Sequence, residues 1–184
     1  MKDIVLRVVE KLEFGPNKCQ VAVVQYSDQA SAAFLLNTHS KRDDIIESVR
    51  QLKQRGGRPL NTGTALQYVR DQVFTESFGS RRLEGVPQLL VLLSGGRSND
   101  DIRGPAASLK ATGVIPVSIG TAGADTLELQ TISQQPNYYF MINDVNDIPT
   151  VQEKLLSLVR STSPQKRPTL PPPSFGKKVN YFLF

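Results

Sequence analysis

Cysteine, histidine and tryptophan are the scarcest residues of this sequence: among 184 residues there is one cysteine, one histidine and no tryptophan. A single thiol excludes an internal disulfide and any cluster of cysteine metal ligands. We interpret Cys19 as a small buried hydrophobic residue and His39, beside a predicted helix cap, as a solvated loop residue. Both absences count against metal-thiolate chemistry and against a Ser-His-Asp triad.

Long apolar runs are also missing. No stretch approaches the roughly 18 uninterrupted apolar residues that a transmembrane helix needs, so we expect no membrane insertion. Residues 1–7 contain an acid and lack the long apolar core of a signal peptide.

Most of the net positive charge lies at one end of the chain. Of the formal net charge of +5, four units come from Lys166, Arg167, Lys177 and Lys178 within residues 161–184, which contain no acid. Residues 1–160 are left with 18 basic and 17 acidic side chains. Such a balance gives no electrostatic surface for a polyanion, and we expect no nucleic-acid partner.

The apolar pattern of residues 1–160 alternates between helical and strand spacing. Strands are predicted at 20–26, 30–36, 89–93, 114–119 and 138–142, with helices before, between and after them. The first two strands are joined by only three residues, which fits an antiparallel hairpin, whereas the unbroken run at 89–93 is typical of a strand buried on both faces of a parallel sheet. Within the fourth strand, Pro116 predicts a bulge or an unpaired side. The predicted fold class is α/β, with a doubly wound, mostly parallel sheet and one antiparallel edge strand.

Composition changes at residue 161. We assign residues 1–160 to one domain and residues 161–184 to a basic tail that holds five of the twelve prolines and is expected to be disordered. Its last six residues, 179–184, are apolar and aromatic without an evident partner segment. We expect them to be either an unused extension or a weak contact with the domain.

Three glycine-bearing loops are candidates for phosphate binding, and none matches a known motif. The loop at 57–64 has one residue too many and no lysine for a Walker motif, and the loops at 95–98 and 120–123 lack the spacing of a dinucleotide fingerprint. Ser94 lacks the flanking glycines of a nucleophile elbow. These findings argue against an enzyme, although a small α/β nucleotide-binding enzyme remains an alternative.

Four segments, in this order along the chain, carry a family resemblance: 25–28 (QYSD), 56–66 (GGRPLNTGTAL), 89–101 (LLVLLSGGRSNDD) and 117–120 (VSIG). Together they resemble a von Willebrand factor type A domain, and are most similar to such domains in the collagen type VI alpha-3 chain and its relatives. The resemblance covers roughly residues 1–160.

This resemblance implies a noncatalytic module for cell adhesion and matrix assembly, secreted into the extracellular matrix as part of a longer chain. The implied partners are matrix proteins, collagen chains or cell-surface receptors. An intracellular scaffold of the same fold is a second alternative.

Many members of the family hold Mg²⁺ at a metal-ion-dependent adhesion site (MIDAS), with a threonine before the third helix and an aspartate after the fourth strand. Here the threonine position falls on Leu60, or on Thr62 if the alignment slips, and the aspartate position falls on Gly95. We therefore expect no metal and no other cofactor.

The residues expected to bind a partner lie in the two loops at the carboxyl ends of the strands, where ligands of open parallel sheets sit. They are Leu60, Asn61, Thr62, Thr64, Gly95, Arg97 and Ser98. The third helix is expected to be capped by Thr62 or Thr64. Asp100 and Asp101 are expected to stabilise the dipole of the helix that follows them, by about 0.3 to 1 kcal/mol each.

The resemblance also implies a missing strand. The first strand of the family lies centrally, between the strands at 20–26 and 89–93, and this sequence begins within the first helix. Unpaired backbone groups on both flanks would cost about 10 to 30 kcal/mol at roughly 1 to 3 kcal/mol each, more than the stability of a typical domain. We expect a fragment of a longer protein that is unstable alone or closes its sheet by a new pairing.

Overall fold

The structure, a computed structural model, describes residues 1–53, 57–162 and 180–183, the last of these by their backbone alone. It contains six α-helices, two short 3-10 helices (Glu76–Phe78 and Arg82–Glu84) and six strands within those residues. The helices are α1 (Lys2–Lys11), α2 (Arg42–Gln51), α3 (Thr62–Gln72), α4 (Arg103–Ala111), α5 (Thr126–Ile132) and α6 (Asp147–Thr162). The strands are β1 (Gln20–Tyr26), β2 (Ala30–Phe34), β3 (Gln88–Ser94), β4 (Val114–Thr121), β5 (Tyr139–Ile142) and β6 (Asn180–Leu183).

All six strands form one sheet in the order β2-β1-β6-β3-β4-β5. The pair β1–β2 is antiparallel, and every other pair is parallel. All seven residues of β3 are buried, as the unbroken apolar run predicts. The predicted class, a mostly parallel α/β sheet with one antiparallel edge strand, is confirmed.

Two apolar cores cover the two faces of the sheet, because successive side chains of a strand point to opposite faces. Val21 and Val23 pack in the core with α1, α2 and α6, whereas Ala22 and Val24 pack in the core with α3 and α4. The helices therefore lie on both faces, as in a doubly wound fold.

Pro116 takes its place in β4 opposite Leu90 of β3. The carbonyl of Pro116 accepts a hydrogen bond from the N–H of Gln134 (2.8 Å), and the pairing with β5 begins only at Ser118. The missing N–H of proline thus faces the side on which β5 has not yet begun. The predicted unpaired side, rather than the bulge, accommodates this residue.

The centre of the sheet departs from the disorder predicted for the tail and matches the alternative prediction that the sheet closes by a new pairing. Residues 180–183, expected to be disordered, form β6 and pair in parallel with β1 on one side and β3 on the other. They fill the place of the expected missing strand, because the inner edges of β1 and β3 carry buried backbone groups that require partners. The helix α6 also extends two residues past the predicted boundary, to Thr162. The remainder of the predicted tail, residues 163–179 and 184, lies outside the described residues.

Candidate functional site

Two loops meet at the carboxyl edge of the sheet. We call residues 57–64, which lead into α3, and residues 95–101, which follow β3, the crown loops. They are tied by backbone hydrogen bonds: the N–H of Asn99 donates to the carbonyl of Leu60 (2.6 Å), and the N–H of Asn61 donates to the carbonyl of Ser27 after β1 (2.7 Å). The predicted binding residues are therefore brought together at one edge.

Asp100 organises the crown loops. Its carboxylate accepts hydrogen bonds from the N–H of Gly63, the N–H and hydroxyl of Thr64, and the hydroxyl of Ser98, all at 2.7 Å. Partial burial acts to raise the pKa of Asp100, but the hydrogen bonds from Ser98, Thr64 and Gly63 outweigh it and lower the pKa. The carboxylate is thus held in its ionised form by donors from both loops.

This geometry corrects two predictions. Asp100 caps α3 rather than the helix that follows it, and neither Thr62 nor Thr64 supplies the cap, because the second crown loop passes over the first turn of α3. A Cβ on Gly63 would lie 1.9 Å from the carbonyl oxygen of Asp101, so only glycine allows this close approach. Asp101 acts as predicted: it accepts from the N–H groups of Arg103 (3.3 Å) and Gly104 (3.2 Å) at the start of α4.

Thr62 points into the protein. It is 2% exposed, and its hydroxyl lies 3.2 Å from the phenol oxygen of Tyr26 at the end of β1. Burial raises the pKa of the Tyr26 phenol, which keeps it neutral. That Thr62 contacts a partner stays a prediction, and in this structure its side chain is enclosed.

Apolar side-chain ends lie closest to the two predicted MIDAS positions, Leu60 and Gly95. A Cβ on Gly96 would lie 2.8 Å from Cδ1 of Leu60, and a Cβ on Gly95 would lie 3.1 Å from Cε of Met1. Neither Leu60 nor Gly95 offers a side-chain oxygen, and the Asp100 carboxylate already accepts four hydrogen bonds. In the described part of the chain, no group of three or more His, Cys, Asp or Glu side chains could hold a metal ion. These residues do not fit Mg²⁺.

A second acidic residue binds the crown loop that follows β3. Glu128 of α5 accepts a hydrogen bond from the N–H of Ser98 (2.8 Å), and burial is the main cause that raises the pKa of its carboxyl. Arg97 lies 3.8 Å from Glu128 and 3.7 Å from Asp125, but 80% of its side chain is exposed. At such exposure these ion pairs contribute little, and the guanidinium remains available to a partner.

The predicted binding residues thus divide by exposure. Thr64, Gly95 and Arg97 are exposed, Leu60, Asn61 and Ser98 are half-buried, and Thr62 is buried. Tyr26 and Glu128, which support the crown loops from β1 and α5, were not among the predicted site residues. Glu128 stands three residues after Asp125, a spacing typical of a helix start, and that spacing does not indicate that Glu128 binds another loop.

Comparison with known proteins identifies the family of this chain. Residues 1–154 match the family model of the von Willebrand factor type A domain. The chain is 34% identical to the mouse collagen alpha-4(VI) chain over 158 residues, 84% of this chain and 7% of that one. It is 31% identical to the human collagen alpha-6(VI) chain over 156 residues, 85% of this chain and 7% of that one.

The chain is 29% identical to the transmembrane cell adhesion receptor mua-3 of Caenorhabditis elegans over 163 residues, which are 88% of this chain and 4% of the receptor. The chain therefore spans less than a tenth of the length of each of these three relatives. Within the described residues, the helices are too short or too polar to cross a membrane.

Two solved structures share the fold. The proximal thread matrix protein 1 of the mussel byssus, whose structure is described with a zinc-occupied MIDAS motif, superposes with a TM-score of 0.80 at 29% identity, covering 86% of this chain and 42% of that one. A von Willebrand factor type A structure from Catenulispora acidiphila superposes with a TM-score of 0.61 at 16% identity, covering 84% of this chain and 36% of that one. The second likeness concerns the fold alone.

Proposed function

The chain belongs to the von Willebrand factor type A domain family, and from this premise we propose that it is a noncatalytic protein-interaction module of an extracellular matrix chain similar to the type VI collagens. The predicted family is confirmed, and the collagen chains among the relatives agree with the predicted secreted, extracellular-matrix location. The module binds its partner through the crown loops without a bridging metal ion.

The surroundings of Leu60 and Gly95 carry this proposal. A metal-dependent site needs unshared oxygen ligands, whereas here the Leu60 side chain lies over Gly96 and the Asp100 carboxylate is saturated by donors within the chain. The mussel protein with a zinc-occupied motif shows that the fold can carry an ion. The lack of side-chain oxygens at Leu60 and Gly95 in this chain favours recognition by shape and direct polar contacts.

Arg97 is the crown residue best suited to such a contact. Its side chain is the exposed cation of the crown loop that follows β3, and because 80% of it is exposed, its ion pairs with Asp125 (3.7 Å) and Glu128 (3.8 Å) occupy it only in part. A planar guanidinium forms bidentate hydrogen bonds with a carboxylate. We therefore expect the partner, a collagen chain, another matrix protein or a cell-surface receptor, to present an acidic group to Arg97.

The test measures binding of the full chain to immobilised type VI and type I collagens and to a panel of purified matrix proteins, with Mg²⁺ and with EDTA. We expect the Kd to be the same in both buffers. We expect Arg97→Glu to weaken binding by about tenfold, which corresponds to about 1.4 kcal/mol. Arg7→Glu on the exposed side of α1 is the matched control and should leave the Kd unchanged.

Loss of binding in EDTA would show that the assignment of Leu60 and Gly95 to the MIDAS positions is wrong. Equal weakening by Arg97→Glu and Arg7→Glu would place the contact elsewhere than the crown loops.

A further inference from the structure

The sheet consists of two parts that β6 joins. On one side β1 pairs with β2, and on the other β3, β4 and β5 pair in order, with β6 between β1 and β3. We call the gap that β6 fills the central slot. The central slot is bounded by the inner edges of two strands that come from different parts of the chain.

The two edges of the central slot are in register with each other. Asn180 stands opposite both Gln20 and Gln88, and Leu183 stands opposite both Val23 and Val91. One parallel strand therefore satisfies both edges at the same residues. This makes the slot a specific receptor for a single extended segment running parallel to β1 and β3.

The flanks of the slot are buried. Val21, Val23, Leu89 and Val91 are each at most 2% exposed. An empty slot would leave backbone N–H and C=O groups unpaired in this interior, at about 1 to 3 kcal/mol per group. The slot therefore requires an extended segment that pairs with both edges. That segment can belong to the same chain or to another one.

The segment that fills the slot is joined to the rest of the domain by a long connection. Seventeen residues, 163–179, separate the end of α6 from β6. Their fully extended length is about 60 Å at roughly 3.5 Å per residue, whereas a domain of this size has a radius of gyration of about 15 Å. Such a length reaches the central slot of its own domain or that of a neighbouring copy.

We infer that β6 is exchangeable between copies of this chain, so that the central slot of one copy binds residues 180–183 of another. The partner is a second copy, because every copy carries both the slot and the segment whose register matches it. The exchange forms no new type of contact: the same backbone pairing closes the sheet in either arrangement.

Concentration decides between the two arrangements. A segment tethered to its own domain by seventeen residues acts at an effective concentration on the order of millimolar, so at micromolar concentrations each chain fills its own slot. Exchange becomes dominant when the chain's own segment cannot pair, or when copies are held side by side at comparable local concentrations.

The test uses two full-length variants that are each defective in one part. Phe182→Pro removes an N–H from β6 and makes an acceptor, since proline cannot pair within a central strand. Leu90→Pro breaks β3 and makes a donor that keeps an intact segment 180–183. Each variant alone is expected to lack a cooperative melting transition.

Mixing the two at micromolar concentration is expected to restore one cooperative transition and to give a 1:1 complex, seen by analytical ultracentrifugation as twice the 20.3 kDa chain mass. The control mixes the acceptor with a donor that also carries Phe182→Pro, and should restore nothing. A mixture that shows no cooperative transition and no 1:1 complex, like its separate components, overturns the proposal. A Phe182→Pro chain that melts like the wild type overturns it as well, because the segment would then be dispensable.

A measurement on the unmodified chain covers the case in which both variants aggregate. Copies labelled with donor and acceptor fluorophores are mixed, concentrated to the millimolar range and diluted. Energy transfer that persists after dilution and decays at the rate of unfolding supports exchange, whereas immediate loss of the signal contradicts it.

Discussion

The crown loops and the central slot satisfy their backbone groups in opposite ways. In the crown loops, Asp100 and Glu128 accept hydrogen bonds from N–H groups within a short part of the surface. In the central slot, the partners of β1 and β3 come from residues 180–183, more than eighty residues further along the chain. The crown loops are therefore held by hydrogen bonds to two carboxylates from residues that lie 30 to 37 positions away along the chain, and the slot by one segment more than eighty positions away.

This difference shows where the domain tolerates change. The Asp100 carboxylate gives the crown loops internal partners, so they keep their shape without a bound ion. The central slot has a single occupant, so its loss leaves many groups unpaired at once. Variants that remove one partner at a time from each region measure the difference.

The largest effect is expected from the pair Phe182→Pro and Phe182→Ala. Alanine keeps the backbone N–H of β6 and proline removes it, so the alanine variant should keep a cooperative urea transition, whereas the proline variant should lose at least about 2 kcal/mol more free energy of unfolding and show no cooperative transition. Urea denaturation, together with hydrogen exchange of the amides at 20–23 and 88–91, measures this. Equal losses in the two variants would indicate that backbone pairing of β6 contributes little.

A smaller loss is expected for Asp100→Asn. The amide keeps the shape of the side chain but loses the charge, and it turns an NH₂ group toward donors from Gly63, Thr64 or Ser98. We expect the free energy of unfolding to fall by about 2 kcal/mol, since hydrogen bonds to charged groups contribute about 1.5 to 3 kcal/mol. Asp101→Asn, which caps only α4, is the control and should cost about 0.5 kcal/mol. Losses of the same size would contradict the central role of Asp100.

The smallest effect, and one of opposite sign, is expected for Glu128→Gln. Burial raises the pKa of Glu128 in the folded state, so the ionised carboxyl opposes folding above that pKa. Glutamine can still accept the Ser98 N–H, and we expect it to raise the free energy of unfolding at neutral pH by about 0.5 kcal/mol.

The pH dependence of this variant follows from the same sign. As pH falls through the raised pKa, the folded wild type takes up its proton before the unfolded chain does, so the advantage of Glu128→Gln should shrink from that pKa downward and be lost once the pH is below the unfolded value of about 4.3. Denaturation curves between neutral pH and pH 4 measure it. A glutamine variant that is less stable at all pH values would show that the attraction of Arg97 outweighs the burial of the charge.

Much of the fold could be predicted from sequence because its signals are local. The three residues between β1 and β2 allow only a hairpin, the apolar run of β3 requires burial on both faces, and Asp125 caps α5 through the N–H groups of Leu127 (2.9 Å) and Glu128 (3.3 Å). The edge at which the crown loops meet follows from the parallel order of the strands.

The rest depends on positions that local patterns do not specify. Asp100 looked like a cap for the helix that follows it, and only the path of the loop over α3 brings it to Gly63 and Thr64. Residues 180–183 form a short apolar segment after a proline-rich stretch, and no periodicity indicates that its pairing partners lie at β1 and β3.

The place of β6 also sets an order of events in folding. Its pairing with β1 joins residues about 160 positions apart, which costs more loop-closure entropy than the hairpin of β1 and β2. During synthesis the ribosome completes β6 after every other described element. The two parts of the sheet therefore stay unjoined until β6 has been synthesised. A chaperone that shields the inner edges of β1 and β3 would act during this interval.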